Sequence, residues 1–193
     1  PIGGLPDEEV TIAEFIKEHR PNYATAHFGK WHMKGGSPTD HGYDQHDGPT
    51  SNAEGNAGEP DPKRIGEVTD RSVRFIREQT AANRPFLLQV SHYAVHTPVL
   101  ARSETIEKFE ATESGTVHSN AAYAAMTEEL DGSLESLLSV LDELGISDQT
   151  YVIYTSDNGG EIGRGGSPTV NTPLAKGKTH TWEGGIRVPL IIR

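Results

Sequence analysis

Two segments, Phe28-Gly29-Lys30-Trp31-His32 and Lys178-Thr179-His180-Thr181-Trp182-Glu183-Gly184-Gly185, set lysine and histidine beside glycine in an otherwise acidic chain. The combination suits an anion. Lysine supplies a compact positive charge, histidine exchanges a proton near neutral pH, and glycine lets backbone donors come close. If the chain stays extended after Gly29, Lys30 and His32 face the same way and can share one ligand. The competing reading is a solvated lysine next to a histidine packed on Trp31. Lys176 and Lys178 flank Gly177 and can offer charge and backbone donors to an oxyanion, while Glu183 and Arg187 read as an ion pair that shapes the turn.

Two further clusters lie between these segments. In Ser156-Asp157-Asn158-Gly159-Gly160 a carboxylate and an amide oxygen sit on a turn that permits close approach, which suits calcium or, less well, magnesium. Calcium takes roughly 6 to 8 oxygens, so further ligands must come from elsewhere. The competing reading is a turn in which Asp157 and Asn158 bond their own backbone. His96, ahead of Thr97-Pro98, reads as a loop histidine able to protonate a leaving group. His92 lies four residues before it, but Tyr93 stands where the helical zinc-protease motif carries glutamate, which argues against zinc. Of the nine histidines, His19, His46 and His118 have no neighbours that suggest chemistry.

The elements that must position these residues follow from periodicity. Thr11-Ile12-Ala13-Glu14 has the form of a capping box opening a helix to about His19, with Val10, Phe15 and Ile16 on its buried side. Tyr23 to Phe28 reads as a strand closed by Gly29, and Pro38 to Pro62 as a long loop. Ile65, Val68, Phe75 and Ile76 mark one face of a second helix, and Phe86-Leu87-Leu88-Gln89-Val90 a buried strand. A long helix spans about Ser119 to Leu144, with Tyr123, Met126, Leu130, Leu134, Leu137, Leu138, Leu141 and Leu144 as core and Gly145 as its stop. Tyr151 to Thr155 and Val188 to Ile192 complete the strands. This alternation predicts an α/β fold, a mostly parallel sheet sandwiched by helices, in which ligands sit beyond the carboxyl ends of the strands. Lys30, His96 and Asp157 each follow such an end.

Composition narrows the partners. A formal charge of -11 argues against nucleic acid or an anionic membrane, both of which need a basic face. The absence of cysteine excludes disulfides and thiolate sites. No apolar run approaches the roughly 20 residues that span a bilayer, and Pro1-Ile2-Gly3-Gly4 lacks the features of a signal peptide. The chain opens on proline rather than methionine, and the native start is expected elsewhere.

Taken together, the motifs resemble the sulfatase family of the alkaline phosphatase superfamily over nearly the whole chain and in the same order. The residues that carry the likeness are Glu9 to Glu14, Gly29-Lys30-Trp31-His32, His41-Gly42-Tyr43-Asp44, His96-Thr97-Pro98, Ser156-Asp157-Asn158-Gly159, and Gly177-Lys178 through Trp182 to Pro189. The resemblance implies that Asp157 and Asn158 supply part of a calcium site and that Lys30, His96 and Lys178 contact sulfate, with His96 or Lys178 assisting departure of the alcohol. It also implies that His32 orients the nucleophile. In this family that nucleophile is a formylglycine made within a Cys/Ser-x-Pro-x-Arg motif upstream of the matched part. These 193 residues contain no such motif: Ser37-Pro38 and Ser167-Pro168 lack its spacing and arginine. The family's paired aspartates are missing as well.

The expectation is therefore a partial sulfatase catalytic domain over residues 1–193, without the nucleophile segment and the smaller C-terminal domain, incomplete at both ends and inactive alone. The whole protein would hydrolyse aryl or carbohydrate sulfate esters, outside the cytoplasm, with selectivity set by loops such as Gly35 to Pro62 and Gly163 to Thr172. The competing readings are a non-catalytic sulfatase-like binding domain and a phosphate or phosphonate monoester hydrolase.

Overall fold

A computed structural model describes residues 4–6, 8–162 and 169–193. Ser167-Pro168 and most of the Gly163 to Thr172 loop lie outside the described residues, as do Pro1, Ile2, Gly3 and Asp7. The chain runs α1 (Ile12–His19), β1 (Ala24–Gly29), β2 (Gln45–His46), α2 (Ile65–Ala81), β3 (Phe86–Ser91), α3 (Ser103–Glu110), α4 (Ala121–Glu143), β4 (Ile153–Thr155), α5 (Glu183–Ile186) and β5 (Leu190–Ile192).

The capping box of α1 forms: Glu14 N donates to the Thr11 hydroxyl at 3.2 Å, and Thr11 N to the Glu14 carboxylate at 2.9 Å. Its buried side differs from expectation. Val10 and Phe15 are exposed, Ile16 is half-buried, and Ala13 is the residue that goes inside. The reason is distance. A side chain added at Gly42 would meet Ala13 C at 3.0 Å and Glu14 N at 2.7 Å, so the two backbones touch and only a methyl group fits between. Phe15 stacks instead on His19, 4.3 Å between ring centres.

Strands β2, β1 and β3 lie parallel in that order, with Ala24 opposite Phe86 and Gly29 opposite Ser91. β1 is buried along its whole length because it is paired on both edges and covered on both faces. On one side Phe28 meets Val68 and Phe75 of α2; on the other Ala13, Trp31 and Tyr43 form a second cluster. β3 is half-buried rather than buried, since among the described residues it pairs only with β1. α2 carries the expected face, with Ile65, Val68, Phe75 and Ile76 inside. On α4 the full burial goes to Ala125, Met126, Ser133, Val140 and Leu141, with the other leucines of the stripe half-buried because the helix packs on α2 and α3 along one side only. The stretch Pro38–Pro62 is less irregular than expected, for it supplies β2 and a short turn at Pro38–His41.

β5 departs from the parallel pairing that prevails in the expected sheet. It pairs antiparallel with β4, Ile153 opposite Ile192, and Leu190, Ile191 and Ile192 stay about three-fifths exposed. A parallel partner needs a crossover of a dozen or more residues, usually helical. The described part of the segment between β4 and β5 holds only the four-residue α5 and turns the chain back on itself.

Buried imidazoles run through this fold. His27 sits in the middle of β1, and burial pushes its pKa down to about 4, with a smaller push from His46. His92 bonds the Ser133 hydroxyl at 3.0 Å and is likewise pushed to about 4 by burial. An unfolded histidine protonates near 6.5, so between pH 6.5 and 4 the unfolded chain binds protons that the folded one refuses. Stability is therefore complete above about 6.5 and falls as pH drops, by up to about 1.4 kcal/mol per pH unit for each imidazole. Urea midpoints taken across this window should show the decline, and His27→Gln should make it shallower; a flat profile would contradict the buried neutral histidines.

Candidate active site

Each polar cluster is delivered by a backbone device that its own sequence provides. At the end of β1 the chain must turn sharply, and Gly29 does so at φ +97°, where a Cβ would lie 2.1 Å from the Ser91 carbonyl oxygen. Lys30 N then donates to that same oxygen at 2.7 Å, tying the lysine to the end of β3. Thr50 closes the arrangement: its hydroxyl donates to Gly29 O at 2.6 Å and accepts from Trp31 N at 2.9 Å. Trp31 is buried, edge-on to His27, with its indole N–H on Gly36 O at 3.1 Å.

The second device lies after β4. Gly159 N donates to Gly185 O at 3.0 Å and Lys178 N to Gly160 O at 3.0 Å, so two loops run against each other. Asn171 clamps them, donating to Gly160 O at 2.8 Å and to Lys176 O at 3.1 Å. The approach depends on the absence of side chains, since a Cβ on Gly159 would sit 1.8 Å from Gly184 O. Lys178 is bracketed by Lys176 and Thr179 in left-handed conformations, φ +64° and +74°, and is half-buried.

These devices bring Lys30, His96 and Lys178 within electrostatic reach of one another, with Asp157 acting on Lys30. Burial, then Lys178, pull the Lys30 pKa below its usual value, while Asp157 pushes it back up. His96 is lowered by burial first, then by Lys178 and Lys30. Its Nδ1 lies 2.7 Å from Thr97 O. A carbonyl can only accept, so Nδ1 carries the proton and Nε2 is left for a ligand. The Asp157 carboxylate is exposed and makes no hydrogen bond or ion pair among the described residues, and Asn158 engages only through its carbonyl, which accepts from the Ser156 hydroxyl at 2.9 Å. A free carboxylate beside a free amide fits part of a hard-cation site. No group of three or more acidic, histidine or cysteine side chains is placed to hold a metal among the described residues.

His32 behaves differently from the expected alternation. It takes φ +44°, so the segment is not extended; its backbone N donates to Thr50 O at 2.7 Å and its ring is exposed, without a side-chain hydrogen bond among the described residues. His92 turns away from His96 onto Ser133 of α4. Glu183 and Arg187 do form an ion pair, at 3.2 Å on the surface. One member of the cluster was missed by sequence reasoning. Lys63, immediately before α2, is buried with its charge near Lys30 and His96. The only signal was Asp61-Pro62 ahead of a helix, which marks a cap and a turn but not where the next lysine goes.

Lysines and a histidine gathered beside the carboxyl ends of parallel strands, with an unpaired carboxylate next to them, are groups suited to an anionic ligand. The comparisons with known proteins give the particular family. The family model described as Sulfatase matches residues 1–193, and the chain belongs to the sulfatase family. N-acetylgalactosamine-6-sulfatase of Canis lupus familiaris is 32% identical over 98% of this chain and 40% of its own length. A Sulfatase of Formosa agariphila is 36% identical over 68% of the chain and 25% of that protein. The chain thus spans two-fifths or less of these relatives. Among solved structures, Ps i-CgsB superposes with a TM-score of 0.81 at 24% identity, over the whole chain and 49% of its own. The protein yidJ from Bacteroides fragilis gives 0.75 at 18%, over 98% and 50%. Those likenesses establish the fold. The family's chemistry employs a formylglycine and a metal.

Gly29→Ala should force Lys30 away from Ser91, costing about 1–3 kcal/mol in denaturant unfolding and weakening binding of inorganic sulfate. Unchanged stability and sulfate affinity would show that the turn at Gly29 does not hold the lysine.

Proposed function

We propose that this chain is the sulfate-receiving part of a calcium-dependent sulfuric ester hydrolase acting on sulfated carbohydrate or aryl esters. The observation that carries the reading is the convergence of Lys30, Lys178 and His96 beside Asp157, in a family whose members are named for sulfate ester cleavage. Lys30 and Lys178 approach from different loops and would hold two oxygens of the sulfate as point charges. His96 stays neutral while the lysines face it alone. An arriving anion screens that repulsion, raises the proton affinity of Nε2 and fits it to give a proton to the departing alcohol; Lys178 is the other candidate donor.

Asp157 and Asn158 would supply two of the calcium oxygens, and His32 would orient the nucleophile. When in place, calcium polarises the sulfate and the formylglycine diol supplies the attacking oxygen. No Cys/Ser-x-Pro-x-Arg motif occurs in these residues, so the chain by itself should not turn over a sulfate ester. A carbohydrate substrate is favoured by N-acetylgalactosamine-6-sulfatase among the relatives and by Ps i-CgsB bound to k-i-k-neocarrahexaose among the structures. Such a substrate fits an extracytoplasmic location. No helix among the described residues is long and apolar enough to cross a membrane.

The test is made on the intact protein that contains this chain. It should cleave a sulfated N-acetylhexosamine and lose activity on removal of calcium, with Lys30→Ala lowering kcat/KM by about 100-fold or more. The isolated chain should show none. A preference for the matching phosphate ester would favour a phosphohydrolase, and sulfate binding by the intact protein without any cleavage would favour a binding domain; either would sink this proposal.

A further inference from the structure

Lys63 has a side chain only 1% exposed, yet no hydrogen bond or ion pair reaches its ammonium among the described residues. A buried cation without a partner is costly, and a fold retains one where something outside the fold completes it. Its placement is specific. Asp61 caps α2, accepting from Gly66 N at 2.8 Å and Glu67 N at 3.0 Å, which fixes the turn Pro62–Arg64 against the helix. Lys63 and Arg64 both take left-handed conformations there, φ +59° and +52°, and neither is glycine. The turn thereby separates two adjacent cations. Arg64 goes outward to Glu67 with two hydrogen bonds of 2.7 and 2.8 Å, while Lys63 goes inward to no carboxylate.

Inward means toward the sulfate site. Lys30 acts on Lys63, Lys63 acts on His96, and burial with Lys30 lowers the Lys63 pKa to about 8. Strain concentrated at such a position marks function rather than packing. The charge balance then says what is missing. A sulfate monoester brings one negative charge, which Lys30 and Lys178 already meet, and Asp157 acts on Lys30 from the metal side. Lys63 arrives from a separate loop with a further positive charge and no counter-charge of its own.

We propose that Lys63 is a specificity-determining residue whose ammonium receives a second anionic group, a further sulfate or a carboxylate, on the sugar that presents its scissile sulfate to Lys30 and Lys178. This rests on the sulfatase reading above and adds the substrate class: a polyanionic rather than a singly sulfated sugar.

The experiment compares a mono-O-sulfated and a di-O-sulfated N-acetylhexosamine as substrates of the intact protein, in wild type, Lys63→Met and Lys63→Arg. Loss of one charge-assisted contact should lower the kcat/KM ratio of disulfated over monosulfated sugar by about tenfold or more in Lys63→Met, mainly through KM. Lys63→Arg should recover most of it. The unfolding temperature of Lys63→Met should equal or exceed that of wild type, because an unpaired buried charge has been removed. An unchanged ratio, or an equal loss on both sugars, would overturn the assignment of Lys63. A lowered unfolding temperature accompanying that equal loss would make the residue structural. A wild-type protein that cleaves neither sugar would overturn the sulfatase reading itself.

Discussion

Burial of Lys30 and Lys63 close to Lys178, with a neutral His96 among them, is the constraint that the rest of the chain is arranged to resist. Burial first and neighbouring lysines second lower the proton affinity of Lys30, Lys63 and His96, with Asp157 the opposing charge that acts on Lys30. Left to themselves such groups would move apart into water. They are held because the backbone beneath them is immobile: β1 is buried end to end, its exit is tied to Ser91 and Thr50, and the loops carrying Asp157 and Lys178 meet at glycines. The lysines are thus held close together with their repulsion only partly offset among the described residues.

Rigidity of the other wall comes from a polar chain through the interior. Thr69 of α2 and Ser133 of α4 share a hydrogen bond of 2.6 Å, and Ser133 continues to His92. Three elements are therefore joined at the point where β3 gives way to the loop bearing His96. Hydroxyls serve here because each can donate to one neighbour and accept from another. The neutral imidazole joins through Nε2 alone, leaving no buried charge, and its buried Nδ1 has no hydrogen-bond partner among the described residues. Aliphatic side chains at the same positions would fill the space but would not fix the register of the loop.

The sequence disclosed those features that depend on local pattern. The Thr11–Glu14 cap, the inner face of α2, the stop at Gly145 and the exits of three strands were legible because each is encoded within a few neighbouring residues. The nearness of Lys30 and His96 was also legible, since parallel strands deliver their carboxyl ends to one side, whereas Asp157 follows a strand of the antiparallel pair and Lys178 lies on a loop packed against it. Illegible features depended on contacts distant in sequence. Phe15 looks like a core residue until the closeness of Gly42 to Ala13 is known. Val188 to Ile192 reads as one more strand of a parallel sheet until its antiparallel return to β4 is seen. Lys63 reads as a solvated helix-leading lysine, because no local rule announces two successive left-handed residues that are not glycine. The alternation assumed for Lys30 and His32 failed for the same reason.

Thr50 carries a consequence for how such a protein can diversify. With its hydroxyl on Gly29 O and Trp31 N, and its carbonyl accepting from His32 N, it fastens the peptide units on both sides of Lys30. Residues 32 to 50 thereby form a closed ring of fixed circumference, hung from the peptide units that flank Lys30. An inserted or deleted residue inside the ring would be transmitted straight to that lysine. Beyond it, from Ser51 to the Asp61 cap of α2, the chain is anchored at both ends but lies outside that closure, and a change of length there is not passed through Thr50 to Lys30. Evolution of substrate preference in this fold has a permitted interval and a forbidden one, and a single threonine marks the border.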